Sequence, residues 1–131
     1  YTFVYALRET RDMPLTNLHA VVGGIAGASF YAVERTLADK EIDRDDAIAH
    51  FLFGALAGSL PDILEPPLHR RHRRFFHSYL TLGAAALALA AVDNLKDASN
   101  DNKLALKAML SAYMTHLLLD STTPMGLPTI I

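Results

Sequence analysis

The stretch HLLLDSTTPMG, residues 116–126, contains a histidine and an aspartate four residues apart, immediately before a helix-stopping sequence. On an α-helix this spacing puts both side chains on one face, within reach of a single point in space. Pro124 and Gly126 are typical of the residues that follow a helix C-terminus. The stretch therefore predicts a helix that ends in half of a metal chelate, formed by His116 and Asp120.

Outward from this stretch, apolar residues recur at helical spacing along the whole chain, and the alternation that is typical of β-strands is missing. The sequence therefore predicts an all-α fold, a compact bundle of about four main helices. The 131 residues have the length of a single domain, residues 1–131, that can bury a core without disulfides. Because the chain has no cysteine, any metal ion needs nitrogen and oxygen ligands.

Capping residues and helix breakers predict where the four helices begin and end. An irregular start that contains Pro14 precedes the first helix, and Pro61 is expected to end the second because it cannot continue a helix. The polar segment 96–102 reads as a linker. The predicted helices are Thr16 to about Ala38, Asp43 or Asp45 to about Leu60, about His72 to about Leu95, and Lys103 to about Ser121.

The topology of such a bundle predicts that the chemistry-bearing residues converge. When successive helices alternate in direction, the start of the first, the end of the second, the start of the third and the end of the fourth lie at one end. Neutral imidazoles with carboxylates suit Zn, Mn, Fe or Ni, with Zn the first candidate, and this many ligands allows one or two divalent ions. The residues at these positions are His19, Asp62, His72, His77, His116 and Asp120.

Each of these residues also has a purely structural interpretation. His19 could cap a helix, Asp62 could cap a turn, and the pair in residues 116–126 could form a surface hydrogen bond. His72 and His77 are five residues apart and would diverge by about 140° on one helix, so both can bind only if one precedes the helix or if they serve different ions. His50 is interpreted as a core histidine, or as one that supports a ligand without binding the metal, and its position in the middle of a helix places it far from the shared end.

A basic cluster precedes the predicted third helix. The segment HRRHRRFFHS, residues 69–78, contains Arg70, Arg71, Arg73 and Arg74. An arginine offers a planar fork of donors that matches phosphate oxygens, and Arg73 is the candidate phosphate ligand. The alternatives are a solvated turn and a contact with anionic lipid headgroups.

The chain is apolar enough for a membrane to be considered. Hydrophobic residues make up 51% of it, and the mean hydropathy is +0.19. The uncharged runs at 20–33, 47–61 and 78–92 are shorter than the roughly 18 to 20 residues that cross a bilayer, so they suit core helices or partly embedded segments. Glycines at 23, 27, 54 and 58 would allow close helix contact, or are ordinary packing positions. A net charge of -2 does not favour nucleic acid as a partner.

Four segments resemble, in order, the motifs of the bacterial family of membrane-bound metal-dependent hydrolases of the LexA-regulated inner-membrane type. They are LHAVVGG (18–24), GALAGSLPDILEP (54–66), HRRFFHS (72–78) and HLLLDSTTPMGLP (116–128). The family typically shows Leu-Pro-Asp-x-Asp, His-Arg-Gly-x-Thr-His-Ser and His-x-x-x-Asp-x-x-Thr-x-x-Gly segments. The resemblance spans most of the chain and extends more distantly to the zinc-dependent phospholipase C group.

The resemblance implies a metal-dependent hydrolase at the bacterial inner membrane, with a cytoplasmic location as the alternative. It implies these site residues: His19, Asp62, His72, His77, His116 and Asp120 at the metal, with Arg73 and Ser78 beside them. Two departures from the family pattern stand out. Leu64 replaces the second carboxylate of the Pro-Asp segment, with Glu65 next to it, and Arg74 and Phe76 replace the Gly and Thr of the third segment.

Three functions follow from these observations. The first is a metal-dependent hydrolase of a phosphoester, such as a phospholipid or its headgroup, in which Arg73 holds the substrate and Asp62, Glu65 or Asp120 accepts a proton from water. The second is a non-catalytic membrane-associated or partner-binding module with a structural metal or a polar His/Asp network. The third, nucleic-acid binding, is supported by the arginine cluster alone. The sequence contains no indication of the oligomeric state.

Overall fold

The computed structural model describes residues 2–66, 75–123 and 126–129, with side chains from residue 17 onward. Within these ranges there are four α-helices, one 3₁₀ turn and no β-strand, so the predicted all-α bundle of about four main helices is confirmed. The helices are α1 (Thr2–Leu37), α2 (Arg44–Leu64), α3 (Tyr79–Ala91) and α4 (Asn100–Ser121), with the 3₁₀ turn at Val92–Asn94 between the last two.

Helices α1, α2 and α4 pack against one another, whereas α3 packs on α4 alone among the described helices. Glycines let α1 and α2 approach closely. A Cβ atom at Gly23 would lie 2.9 Å from the Cα atom of Gly58, and one at Gly58 would lie 2.8 Å from the carbonyl oxygen of His19. Because backbone atoms occupy that space, a larger residue at either glycine would push the two helices apart.

The contacts between α1 and α2 follow a single antiparallel register. Gly23 lies against Gly58 in the middle of the interface. Toward one end His19 meets Asp62, and toward the other Tyr31 stacks on His50. The register therefore places two groups of polar side chains at opposite ends of the interface, one around Asp62 and the other around His50.

Two prolines that the sequence predicts outside the helices lie inside them. Helix α1 continues through Pro14 and begins at Thr2, well before the predicted start at Thr16. Helix α2 continues through Pro61, which lies inside its last turn, although a proline lacks an amide hydrogen bond and crowds the carbonyl four residues before it. The carbonyl of Pro61 still accepts a hydrogen bond from the amide of Glu65 (2.9 Å), which keeps Asp62 helical.

The later helices also differ from their predicted bounds. Helix α3 begins at Tyr79 instead of about His72, because the hydroxyl of Ser78 caps it by accepting a hydrogen bond from the amide of Thr81 (3.2 Å). Helix α4 begins at Asn100 instead of Lys103, because Ser99 caps it in the same way. The last residues of the expected linker are therefore helical.

Charge divides the bundle along its length. Residues 34–46 and 93–107 contain many acidic and basic side chains, and we call them the charged pole. The segments 20–33, 47–61, 78–92 and 108–119 have no Asp, Glu, Lys or Arg, and by helical rise they measure about 20 Å. Helix α2 is the one described helix long and apolar enough to cross a membrane, and only 28% of its apolar stretch is buried in the protein.

Candidate metal centre

Five side chains converge at the end of the bundle opposite the charged pole. His19 comes from the middle of α1, Asp62 from the last turn of α2, His77 from the turn before α3, and His116 and Asp120 from the last two turns of α4. We call these five residues the His/Asp cluster. All are buried except Asp62, which is partly exposed. The convergence predicted from helix alternation is therefore present, although His19 does not open α1 and His77 precedes α3.

The two ring nitrogens of His116 have different partners. Its Nδ1 lies 2.5 Å from the carbonyl oxygen of Gly58, and because a carbonyl can only accept, Nδ1 carries the proton. In the neutral ring its Nε2 is then a lone-pair donor that faces the cluster, 3.3 Å from Oδ2 of Asp120 and 3.7 Å from Oδ1 of Asp62. The backbone of α2 thus orients a histidine on α4 for metal binding.

His77 is oriented in the same manner by a carboxylate. Oε2 of Glu65 accepts hydrogen bonds from the Nδ1 of His77 (3.0 Å) and from its backbone amide (3.2 Å). The Nε2 of His77 faces the cluster, 3.2 Å from Oδ1 of Asp62 and 3.6 Å from Oδ2 of Asp120. Glu65 therefore contacts the side of the ring that faces away from the cluster, as carboxylates behind metal-bound histidines do.

Four atoms of the cluster have the spacing of metal ligands. They are the Nε2 atoms of His77 and His116, Oδ1 of Asp62 and Oδ2 of Asp120. Five distances among them measure 3.2, 3.2, 3.3, 3.6 and 3.7 Å. Ligands held about 2.0 to 2.1 Å from a tetrahedral ion lie about 3.3 Å from one another, so these residues fit one divalent ion. Histidine and carboxylate donors suit Zn, Mn, Fe or Ni.

His19 contacts the other carboxylate oxygen of each aspartate, Oδ2 of Asp62 and Oδ1 of Asp120. Its Nδ1 is 3.0 Å from Oδ2 of Asp62, its Nε2 is 3.5 Å from Oδ1 of Asp120, and its ring centroid is 3.9 Å from that of His116. In a centre with one ion, His19 would orient both carboxylates from behind. His19, His116 and Asp120 also form a ligand group, which is an alternative position for the ion and not a second site, because both groups need the one free nitrogen of His116.

Charge in the cluster favours a cation. Burial alone would lower the pKa of His77, but its hydrogen bonds to Asp62 and Glu65 and the charge of Asp120 raise it above the ordinary value of 6.5. The carboxylates therefore attract positive charge to the ring. A divalent cation among the same atoms would likewise balance the negative charge of these carboxylates.

Tyr113 stabilises the turn that carries His77. Its hydroxyl donates a hydrogen bond to the carbonyl oxygen of Phe76 (2.9 Å). Burial, reinforced by the negative charge of Glu65, raises the pKa of Tyr113 to about 12, so the hydroxyl keeps the proton that it donates. Neither Tyr113 nor the carbonyl of Gly58 was among the candidates from the sequence. The glycine spacing signalled a close contact at Gly58, but nothing signalled Tyr113.

The remaining candidates lie elsewhere. His72 and Arg73 fall outside the described residues. Ser78, expected beside the site, is buried and uses its hydroxyl to cap α3 and to donate to the carbonyl of Phe75 (2.7 Å). His50 lies at the far end of the α1–α2 interface, as expected for a core histidine.

Comparison with known proteins identifies the family. The model of the YdjM inner membrane protein family matches residues 13–131. The chain belongs to the YdjM inner membrane protein family. No curated protein and no solved structure matches the chain. As a YdjM-family protein with an apolar, largely exposed α2, it is associated with the inner membrane, so the location expected from the motifs is confirmed.

Proposed function

We propose that this protein is a divalent-metal-dependent hydrolase that acts on a phosphoester, such as a phospholipid or its headgroup. The observation that carries the proposal is the spacing of 3.2 to 3.7 Å that relates the Nε2 atoms of His77 and His116 to each other and to oxygens of Asp62 and Asp120. The orientation of both histidines from behind, by Gly58 and Glu65, supports it. Zinc is the first candidate ion, with Mn, Fe and Ni as alternatives.

When bound, such an ion activates water and stabilises negative charge on phosphoryl oxygens. The protein residues would hold and orient the reacting groups. Glu65, which the sequence offered as a proton acceptor, holds His77 instead. Oδ1 of Asp62 and Oδ2 of Asp120 belong to the proposed ligand set, and His19 lies against their other oxygens, so the choice of proton acceptor between them stays a prediction from the sequence. Binding of the phosphate by Arg73 stays a prediction from the sequence.

A second candidate function has an observation in its favour. Four protein ligands complete a tetrahedral zinc site, as structural zinc sites do, whereas catalytic sites keep a position open for water. A non-catalytic membrane-associated or partner-binding module with a structural metal would have this ligand set. Mn, Fe or Ni would accept further ligands beside the same four atoms, so the identity of the metal bears directly on the choice between the two functions.

The first experiment measures metal content and hydrolysis together. The detergent-purified protein, loaded with Zn or Mn, is expected to retain about one ion per chain and to hydrolyse bis(4-nitrophenyl) phosphate. The His116→Ala variant is expected to lose both the ion and the activity while its helicity, measured by circular dichroism, is kept. The matched control is His50→Ala, which removes a buried histidine outside the cluster.

Each other outcome has a defined meaning. A protein that retains no ion after loading would contradict the metal centre. A protein that retains its ion, unfolds when the ion is chelated and hydrolyses no phosphate or carboxyl ester would support the structural module.

A further inference from the structure

Among the described residues, the His/Asp cluster is most exposed at the end of α2. The side chains of His77, His116 and Asp120 are at most 2% exposed, whereas those of Asp62 and Glu65 are each 12% exposed. Asp62 and Glu65 both lie at the end of α2. This end of the helix is therefore the approach to the cluster that the described residues leave most open.

The surface around this edge is apolar. Ile63 and Leu64, which lie between the two carboxylates in sequence, are 57% and 45% exposed. Leu18, next to His19, is 50% exposed, and Phe75, two residues before His77, is 48% exposed. Because Cα atoms two residues apart are at most about 7 Å from each other, the backbone positions of these side chains lie next to residues of the cluster or to Glu65. We call Leu18, Ile63, Leu64 and Phe75 the apolar rim.

The apolar rim continues into an exposed apolar face of α2. Ile48, Leu52, Leu56 and Ile63 fall on one side of the helix, and each is 50 to 60% exposed. An inner-membrane protein can leave such a face uncovered because the lipid acyl chains solvate it. The face therefore extends from near the charged pole to the exposed edge of the cluster.

A buried polar site with apolar side chains around its opening suits a substrate that has both polar and apolar groups. A free phosphate ester would have to be desolvated beside exposed leucine and isoleucine side chains, which offer its polar groups no hydrogen bonds. A phospholipid would place its acyl chains against those side chains and its phosphate beside the carboxylates and the ion. The rim thus favours the intact lipid over its free headgroup.

We propose that the substrate is a membrane phospholipid, which reaches the cluster from the bilayer at the end of α2 with its acyl chains against Leu18, Ile63 and Leu64. This inference rests on the proposed hydrolase function. It adds that the apolar rim selects a substrate with acyl chains.

Activity with two kinds of substrate tests the rim. Ile63→Gln/Leu64→Gln is expected to lower kcat/KM about tenfold or more for phosphatidylglycerol in vesicles and to leave hydrolysis of bis(4-nitrophenyl) phosphate unchanged. The control, Ile48→Gln/Leu87→Gln, removes an exposed isoleucine and leucine about 15 Å or more from the cluster. It is expected to change neither activity.

The outcomes separate the two proposals. Hydrolysis of the soluble diester with no activity on vesicles, or an equal loss in the rim and control variants, would overturn the lipid proposal and leave the hydrolase in place. Hydrolysis of neither substrate would contradict the hydrolase function.

A fluorescence measurement tests lipid contact without activity. Because the chain has no tryptophan, Leu64→Trp is a single reporter in the rim and Leu37→Trp a single reporter in the charged pole. In phosphatidylglycerol vesicles, brominated acyl chains are expected to quench most of the fluorescence of Leu64→Trp, and aqueous iodide that of Leu37→Trp. Quenching of Leu64→Trp by iodide and not by brominated lipid would overturn the proposal.

Discussion

Two buried histidine environments lie at opposite ends of the α1–α2 interface. At one end, the Nδ1 of His50 hydrogen-bonds to the carbonyl of Asp46 in its own helix (2.7 Å), and its ring stacks on Tyr31 with centroids 4.4 Å apart. Among the described residues, its Nε2 has no hydrogen-bond partner. At the other end, His116 hydrogen-bonds to a different helix and directs its Nε2 to atoms from three segments.

The difference shows what separates a core histidine from a candidate ligand. Both rings are buried, and both have one nitrogen held by a backbone carbonyl. Only His116 has carboxylate oxygens from two helices, those of Asp62 and Asp120, near its second nitrogen. Burial and a defined tautomer are therefore insufficient, and the crossing of several chain segments creates the chelate.

The largest expected effect comes from a carboxylate of the cluster. Asp120→Ala removes two oxygens that face three histidines, and we expect a loss of metal affinity of about 100-fold or more. Asp46→Ala removes a carboxylate from the environment of His50, where it accepts a hydrogen bond from Tyr31, and should leave metal affinity unchanged. Competition with a chromogenic chelator measures both. Equal affinities for the two variants would mean that the two histidine environments do not differ in the way described.

A smaller loss of metal affinity is expected when the changed residue orients a ligand but does not itself bind the metal. Glu65→Gln weakens the hydrogen bond to the Nδ1 of His77 without removing a ligand atom, so metal affinity should fall about 10- to 100-fold. The exposed Glu41, in the charged pole, provides the control Glu41→Gln. If calorimetric titration showed no difference between Glu65→Gln and the control, Glu65 would not orient a ligand.

The backbone contact between the two ends is expected to affect stability. Gly58→Ala places a Cβ atom 2.8 Å from the carbonyl of His19 and should lower the free energy of unfolding by about 1 to 3 kcal/mol. Gly83→Ala, in α3, meets no atom within 4 Å and should be neutral or raise it by up to about 1 kcal/mol. Urea unfolding in detergent distinguishes them. If Gly58→Ala were as stable as Gly83→Ala, the close contact between Gly58 and the carbonyl of His19 would be disproved.

The smallest expected effect lies in the environment of His50. Tyr31→Phe removes the hydroxyl that accepts a hydrogen bond from the amide of Asp43 (3.2 Å) and donates one to Asp46 (3.4 Å). The free energy of unfolding should fall by about 1 kcal/mol, measured by the same urea unfolding, with metal content unchanged. A loss of bound metal in this variant would show that the two ends are coupled.

Several features of the site could be predicted from the sequence because they depend on local spacing. The four-residue separation of His116 and Asp120 determines a shared helix face, and the alternation of helix ends predicts that Asp62 and His77 approach them. The helix bounds were less predictable, because α1 continues through Pro14 and α2 through Pro61. At Pro61 the last turn is still closed by the hydrogen bond from the amide of Glu65 to the proline carbonyl.

The sequence by itself determined the fold class, the exclusion of thiolate sites and the residue types available for a metal, because periodicity and composition are local properties. Only the tertiary structure decided that Gly58 and Glu65 orient two histidines, and that His19 contacts the outer oxygens of the carboxylates. These roles depend on which nitrogen or oxygen faces which neighbour. That direction is set by the antiparallel register of α1 and α2 and by the turn before α3, neither of which is encoded in any single spacing.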